Sequence, residues 1–281
     1  YAQRGLDVEL RPGGTGANIP QLMGAGAIDF GMGSSSFMPL NMLREGAKAK
    51  AVMAVFQKSP EILMTHPRSD IRALADIKGH PIMLADASIG AVFVWLKAKY
   101  GFDEAQIRKY SFNMAPFLLD DKAIQQGYLT SEPYMFERET GHKPQIFLYA
   151  DNGYPSYANL VMVNSRIIDE RPGIVKSFVH ASAEGWRDYL HGDPGPGNAL
   201  IIRDNPDMNA GIIAQAIEKM QTHGIVESGD TDYYGIGAMT DMRWEEFFKV
   251  MSANGVYPPT MNVRDAYTLR FIAPPRKPRR N

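Results

Sequence analysis

The chain has 281 residues, 44% of them hydrophobic and 22% charged, with a net charge of -1 and no cysteine. That length accommodates one large unit or two modest ones with buried cores, and the composition excludes disorder and fibrous repeats. A charge near zero offers no field to phosphates, so no nucleic acid partner is expected, and the lack of cysteine removes thiol catalysis, disulfides, cysteine-held zinc and iron–sulfur clusters.

Tyr1 to Gly5 reads as the closing turn of a helix stopped by Gly5, and Leu6 to Leu10 as a short strand of alternating character. Domains seldom start on a helix end, so an upstream strand, most of that helix and an export signal are expected before this start. Arg11 to Gly16 is a glycine-rich turn, followed by a helix over Ala17 to Ala25. Ile19 stands where a dinucleotide fingerprint needs its third small residue, which sets that motif aside. A buried strand over Ile28 to Gly33 runs into Ser34, Ser35 and Ser36, a helix over Phe37 to Glu45 closes at Gly46, and Ala51 to Phe56 is the next strand. Such alternation predicts parallel strand–helix–strand units.

The pattern then restarts with a short helix over Ile71 to Ile77, a strand over Pro81 to Ala85, a helix start at Ser88-Ile89-Gly90 and a helix over Ala91 to Tyr100 closed by Gly101. Tyr110 to Asn113 is a strand, Ala123 to Gly127 a short helical piece, and Tyr128 to Ser131, Gln145 to Ala150 and Ala158 to Asn164 are further strands. The remainder is helical over Pro172 to Leu190, Gly197 to Asp204, Ala210 to His223 and Asp241 to Asn254. The elements divide into two α/β lobes, residues 1–66 with 158–281 and residues 67–157, with crossings near 59–67 and 150–160. The tail from Ala273 to Asn281, basic and proline-rich, is expected to be disordered.

The six histidines show no metal-ligand spacing, and no nucleophile elbow or P-loop occurs, so neither metal nor cofactor is expected and catalysis has little support. Ser34 and Ser35 lie at the carboxyl end of a strand, where open α/β sheets bind ligands, although one serine of the three must cap the next helix. Ser88 and Gly90 form a second such junction in the other lobe. Ser131 and Glu132 precede Pro133, which would hold Glu132 extended at a strand end. Glu132 is there either as a solvated carboxylate or as a selector: a carboxylate ~4 Å from an anion costs ~4 kcal/mol at an effective dielectric of ~20, so it favours N–H donors and cations. Aromatics gather near the crossings: Phe56 beside Gln57, Tyr110 and Phe112 beside Asn113, then Tyr149, Tyr154 and Tyr157. Tyr154 either stacks on a planar ligand or packs a hinge. The sixteen methionines, among them Met53, Met64 and Met162, fall in predicted strands or helices and fill the core.

Several strings together, Ile28-Asp29-Phe30-Gly31-Met32-Gly33, Trp95-Leu96-Lys97-Ala98-Lys99-Tyr100-Gly101-Phe102, Gln125-Gln126-Gly127-Tyr128-Leu129-Thr130-Ser131-Glu132-Pro133-Tyr134 and Gly235-Ile236-Gly237-Ala238-Met239-Thr240, resemble the NMT1/THI5-like solute-binding proteins, in the branch that serves thiamine pyrimidine precursors. The resemblance runs from Tyr1 to about Ile272. It implies a two-lobed type II periplasmic binding protein fold with the ligand between the lobes, a periplasmic location, a monomer, and an ABC permease and ATPase as partners. Carried over by motif, Ser34, Ser35, Ser88, Gly90, Asn113 and Glu132 become ligand residues, with Gln57, Ser131 and Tyr154 beside them. The family's first strand and its Gly-Gly-Phe-Tyr-type loop have no counterpart here, and Ser88-Ile89-Gly90-Ala91 departs from the branch's usual Gly-Arg. A related pyrimidine synthase consumes its own histidine, and residues 34–45 contain none. The resemblance thus implies capture of a small planar heterocycle by hinge closure, and the alternative is an anion of the nitrate, sulfonate or taurine class at the two helix starts.

Overall fold

A computed structural model describes residues 1–13 and 18–273. The glycine-rich turn from Gly14 and the basic tail from Pro274 fall outside them.

In chain order the helices are α1 (Ile19–Gly24), α2 (Phe37–Arg44), α3 (Asp86–Ile89), α4 (Val92–Tyr100), α5 (Ala115–Leu119), α6 (Glu132–Thr140), α7 (Ser165–Glu170), α8 (Pro172–His191), α9 (Gly195–Asp204), α10 (Ala210–Thr222), α11 (Thr231–Tyr234) and α12 (Asp241–Ala253). The strands are β1 (Phe30–Ser35), β2 (Ala49–Phe56), β3 (Glu61–Thr65), β4 (Ile82–Leu84), β5 (Ile107–Lys109), β6 (Ile124–Tyr128), β7 (Gln145–Leu148) and β8 (Ala158–Asn164). They form two sheets, β1-β8-β2 and β5-β4-β6-β3-β7.

The expectation of uniformly parallel units is corrected. In the first sheet β8 lies between β1 and β2 and runs antiparallel to both, with Phe30 opposite Val163 and Phe56 opposite Ala158. In the second sheet β4 is parallel to β5 and β6, whereas β3 is antiparallel to β6 and β7. A chain that crosses between sheets returns from the opposite direction, which local alternation of strand and helix does not encode. The strand β3, which the sequence reading kept with the first lobe, pairs on both sides within the second sheet. The crossings are therefore residues 57–60 and 149–157.

Four local expectations also change. Leu6 to Leu10 join neither sheet among the described residues, and Leu10 is 82% exposed. Ala123 to Gly127 are mostly the strand β6, whose first four residues are all buried, so no period-2 alternation marked it. Tyr110 to Asn113 lie past the end of β5, where Phe112 turns to a φ of 60° and breaks the extended run. Pro133 does not hold Glu132 extended: it occupies the first turn of α6, where its missing N–H costs nothing.

The core runs through the crossings. Tyr154 packs its ring 5.1 Å from Trp95 of α4 and 6.4 Å from Phe247 of α12, joining the two helices. Among the described residues no helix is long and apolar enough to cross a membrane.

Candidate ligand site

The parallel strands β4, β5 and β6 end together, so Ala85, Tyr110 and Leu129 leave the same edge of the second sheet, and the antiparallel β3 begins there at Glu61. In the first sheet β1 and β2 end, and β8 begins, at the edge carrying Ser35, Phe56 and Ala158. Both crossings depart from these two edges. The few residues of the first crossing, at ~3.3 Å each, keep the edges close. Carboxyl ends of strands are also where open α/β sheets place ligands.

Glu132 is the chemical centre of the second edge. The first turn of α6 positions it over Gly127, where a Cβ would stand 3.0 Å from the Glu132 Cβ and 3.2 Å from its Oε2, so any side chain there presses on the carboxylate. The residue is 8% exposed. Tyr128 donates its amide to Oε2 at 2.8 Å and the Tyr110 hydroxyl donates to Oε1 at 3.4 Å. Burial raises the carboxyl pKa above its ordinary value, and those hydrogen bonds only partly offset it. The same burial, with Glu132 beside it, raises the Tyr110 phenol and keeps it a donor. None of these partners is a cation, so no opposite charge among them neutralises the carboxylate. Beside Tyr110, Phe112 lies 70% exposed, its ring 5.2 Å away.

The sequence-predicted residues separate into three groups. Ser131 and Glu132 open α6 at the second edge, and Ser88, 8% exposed, sits after β4 on that edge. Gly90 does not start a helix: Asp86 to Ile89 is a single turn that Gly90 ends, and α4 follows. Asn113 is not at a strand end either; its Oδ1 accepts the Ala115 amide at 3.0 Å and so opens α5, which leaves it exposed beside Phe112. On the first edge Ser34 is exposed and Ser35 is 9% exposed. The capping role falls to neither: Ser36 stands at the helix start, and its hydroxyl accepts the Tyr157 amide while its own amide is taken by the Ser156 hydroxyl.

Gln57 and Tyr154 belong to the crossings. Gln57 donates to the Ala238 and Ala54 carbonyls at 2.9 and 3.2 Å, and Arg243 donates to both its side-chain and backbone oxygens at 3.2 and 2.6 Å. Its hydrogen-bonding capacity is spent inside the protein. Tyr154 is 3% exposed, a packing residue in this structure.

Sequence reasoning missed Glu61 and Tyr128 at the same edge. Glu61 accepts the Ser59 hydroxyl at 2.8 Å, and burial raises its pKa. A Ser-Pro-Glu entry into an apolar run was the available signal. A surface concavity of about 740 Å³ lies at the opposite end of the first sheet between Gly46, Asn164 and Arg166, away from these groups. Among the described residues no cluster of metal-ligating side chains occurs.

A model described as NMT1/THI5 like matches residues 1–195. The chain is similar to the riboflavin-binding protein RibY of Chloroflexus aurantiacus, 24% identical over 235 residues that cover 82% of this chain and 66% of that protein. It is also similar to the formylaminopyrimidine-binding protein of Halalkalibacterium halodurans, 20% identical over 276 residues, 95% of this chain and 82% of that protein. Among solved structures, the periplasmic aliphatic sulphonate binding protein SsuA from Escherichia coli superposes with a TM-score of 0.67 at 14% identity, over 88% of this chain and 78% of that one. The desulfurization enzyme DSZB shares the architecture at a TM-score of 0.50 and 15% identity, over 86% of this chain and 83% of that one, so fold alone does not separate binding from catalysis. The fold is the two-lobed periplasmic binding protein fold, and with its model matched over most of the length, the chain belongs to the NMT1/THI5-like family.

Proposed function

We propose that the protein is the solute-binding component of an ABC importer, exported as a monomer, which captures a small planar nitrogen heterocycle between the two sheet edges and presents it to a permease and ATPase. The observation that carries this reading is Glu132: a buried carboxylate held by a phenol and a backbone amide, with no cation among those partners. A ligand offering N–H groups gives it further hydrogen bonds, whereas an anionic group there meets a repulsion of ~4 kcal/mol at ~4 Å. The two curated relatives, by name, bind a flavin and an aminopyrimidine, both planar and nitrogen-rich. Support for an anion is weaker, because the Ser36 amide at the start of α2 is already engaged and the turn at Ser88 is only Asp86 to Ile89. Both curated relatives are binding proteins by name, and we read the site as a binder rather than an enzyme.

Two crossings joining two lobes permit hinge closure over the ligand. The test is calorimetry of the purified protein against an aminopyrimidine, riboflavin and an alkanesulfonate, each repeated with Glu132→Gln. Saturable binding of a heterocycle without product, weakened about tenfold or more by the substitution, is the expected result. Sulfonate binding that survives or improves in Glu132→Gln would overturn the reading.

A further inference from the structure

Phe112 combines two features that packing does not reward. Its φ of 60° puts a bulky side chain in the left-handed region, which among non-glycine residues is visited mainly by asparagine and aspartate. The ring that this strained backbone projects is 70% exposed, with Tyr110 as its aromatic neighbour at 5.2 Å and a tilt of 51°. Strain of this kind persists where function retains it, and an exposed ring gains no burial to offset it. Tyr110 is also the residue whose hydroxyl bonds Glu132, so Phe112 stands one side chain from the carboxylate.

We propose that Phe112 is the stacking platform of the ligand site and a specificity-determining residue, its open face covering the ring of a planar heterocycle whose N–H edge meets Glu132. This inference rests on the reading of Glu132 above. It moves the stacking role from the buried Tyr154 to an accessible aromatic. An aromatic platform beside a carboxylate acceptor selects for a flat ligand with donors on its rim, and an aliphatic sulfonate has neither the face nor the donors.

The test uses Phe112→Asn, which keeps a residue that tolerates the left-handed backbone and removes the ring, beside Phe112→Tyr, which keeps the ring. For the heterocycle that the wild type binds, Phe112→Asn is expected to weaken Kd about tenfold to hundredfold, with Phe112→Tyr within about threefold of wild type. The melting temperature of the ligand-free Phe112→Asn protein is expected to be unchanged or higher, because strain is relieved and little packing is lost. Affinity of Phe112→Asn within twofold of wild type, while Glu132→Gln loses binding, would overturn the platform and leave the site reading standing. A fall in ligand-free melting temperature matching the loss of affinity would assign Phe112 a structural role and overturn it as well. Failure of the wild type to bind any of the heterocycles overturns the site reading first, and the platform with it.

Discussion

Glu61 lies directly opposite Tyr128 across the β3–β6 pair. On its other side its backbone oxygen accepts the Tyr149 amide, so the carboxyl side chain sits in a cross-strand row between two phenols at the edge that holds Glu132. Burial raises the Glu61 pKa, and the Ser59 hydroxyl pulls it only partly back. A carboxyl raised in the folded state keeps its proton where the unfolded chain has lost it, so its contribution to stability is full at acid pH and declines as pH rises above the ordinary range near 4.5. Glu61→Gln removes that decline. Its melting temperature should exceed that of the wild type by about 2 °C at pH 7 and converge with it near pH 4. Thermal melts from pH 4 to 8 check this, and a pH-independent difference would contradict it.

Glu132 titrates in the same direction, and its consequence is read in affinity. Protonation replaces an acceptor pair with an O–H donor, so heterocycle binding should weaken at least about tenfold as pH falls through the raised carboxyl value. Comparing the pH profile with that of Glu132→Gln cancels titration of the ligand itself. Parallel profiles would show that Glu132 is not the titrating acceptor.

Gly127 and Gly90 make a paired test of the edge. A Cβ at Gly127 presses on Glu132, so Gly127→Ala should cost about 1 to 3 kcal/mol in stability and displace the carboxylate, with heterocycle affinity falling about tenfold. Gly90 has open space around it and a φ of -81°, so Gly90→Ala should leave stability within about 0.5 kcal/mol of wild type. Denaturant melts with calorimetry resolve both.

Arg243 tests the crossing rather than the site. It donates to Gln57, stands 4.0 Å over the Tyr157 ring and lies 3.8 Å from Asp230, which is 9% exposed and is also bonded by the Tyr157 hydroxyl. Arg243→Met leaves the Asp230 charge without its cation, and the expected loss is about 3 kcal/mol by denaturant melts. Ligand affinity of the folded protein should change less than about threefold; a larger drop would show that the crossing held by Arg243 takes part in binding.

The long helices and the strands β2 and β8 were legible because their apolar periods are long and their ends carry caps or glycines, as Asn209 and Thr240 do for α10 and α12. Short strands were not. The strand β6 is buried along most of its length and shows no alternation, and β3 hides inside what reads as a crossing, its membership decided by partners far along the chain. Glu132 could be singled out from its motif, whereas its support by Gly127 and Tyr110 depends on a strand and a loop meeting in space. Gln57 and Tyr154 were singled out as ligand residues, whereas Tyr154 is buried and the partners that consume Gln57 come from residues 238 and 243, which no local pattern connects to it.

The lock on Gln57 is supplied by a stretch that lies beyond residue 195, outside the part matched by the family model. The proposed ligand edge and the residues that hold Gln57 in the passage between the sheets are thus written in separate parts of the sequence. Substitutions in the later part can retune how readily the two lobes move, and so the fraction of time spent closed, while the recognition chemistry stays as it is.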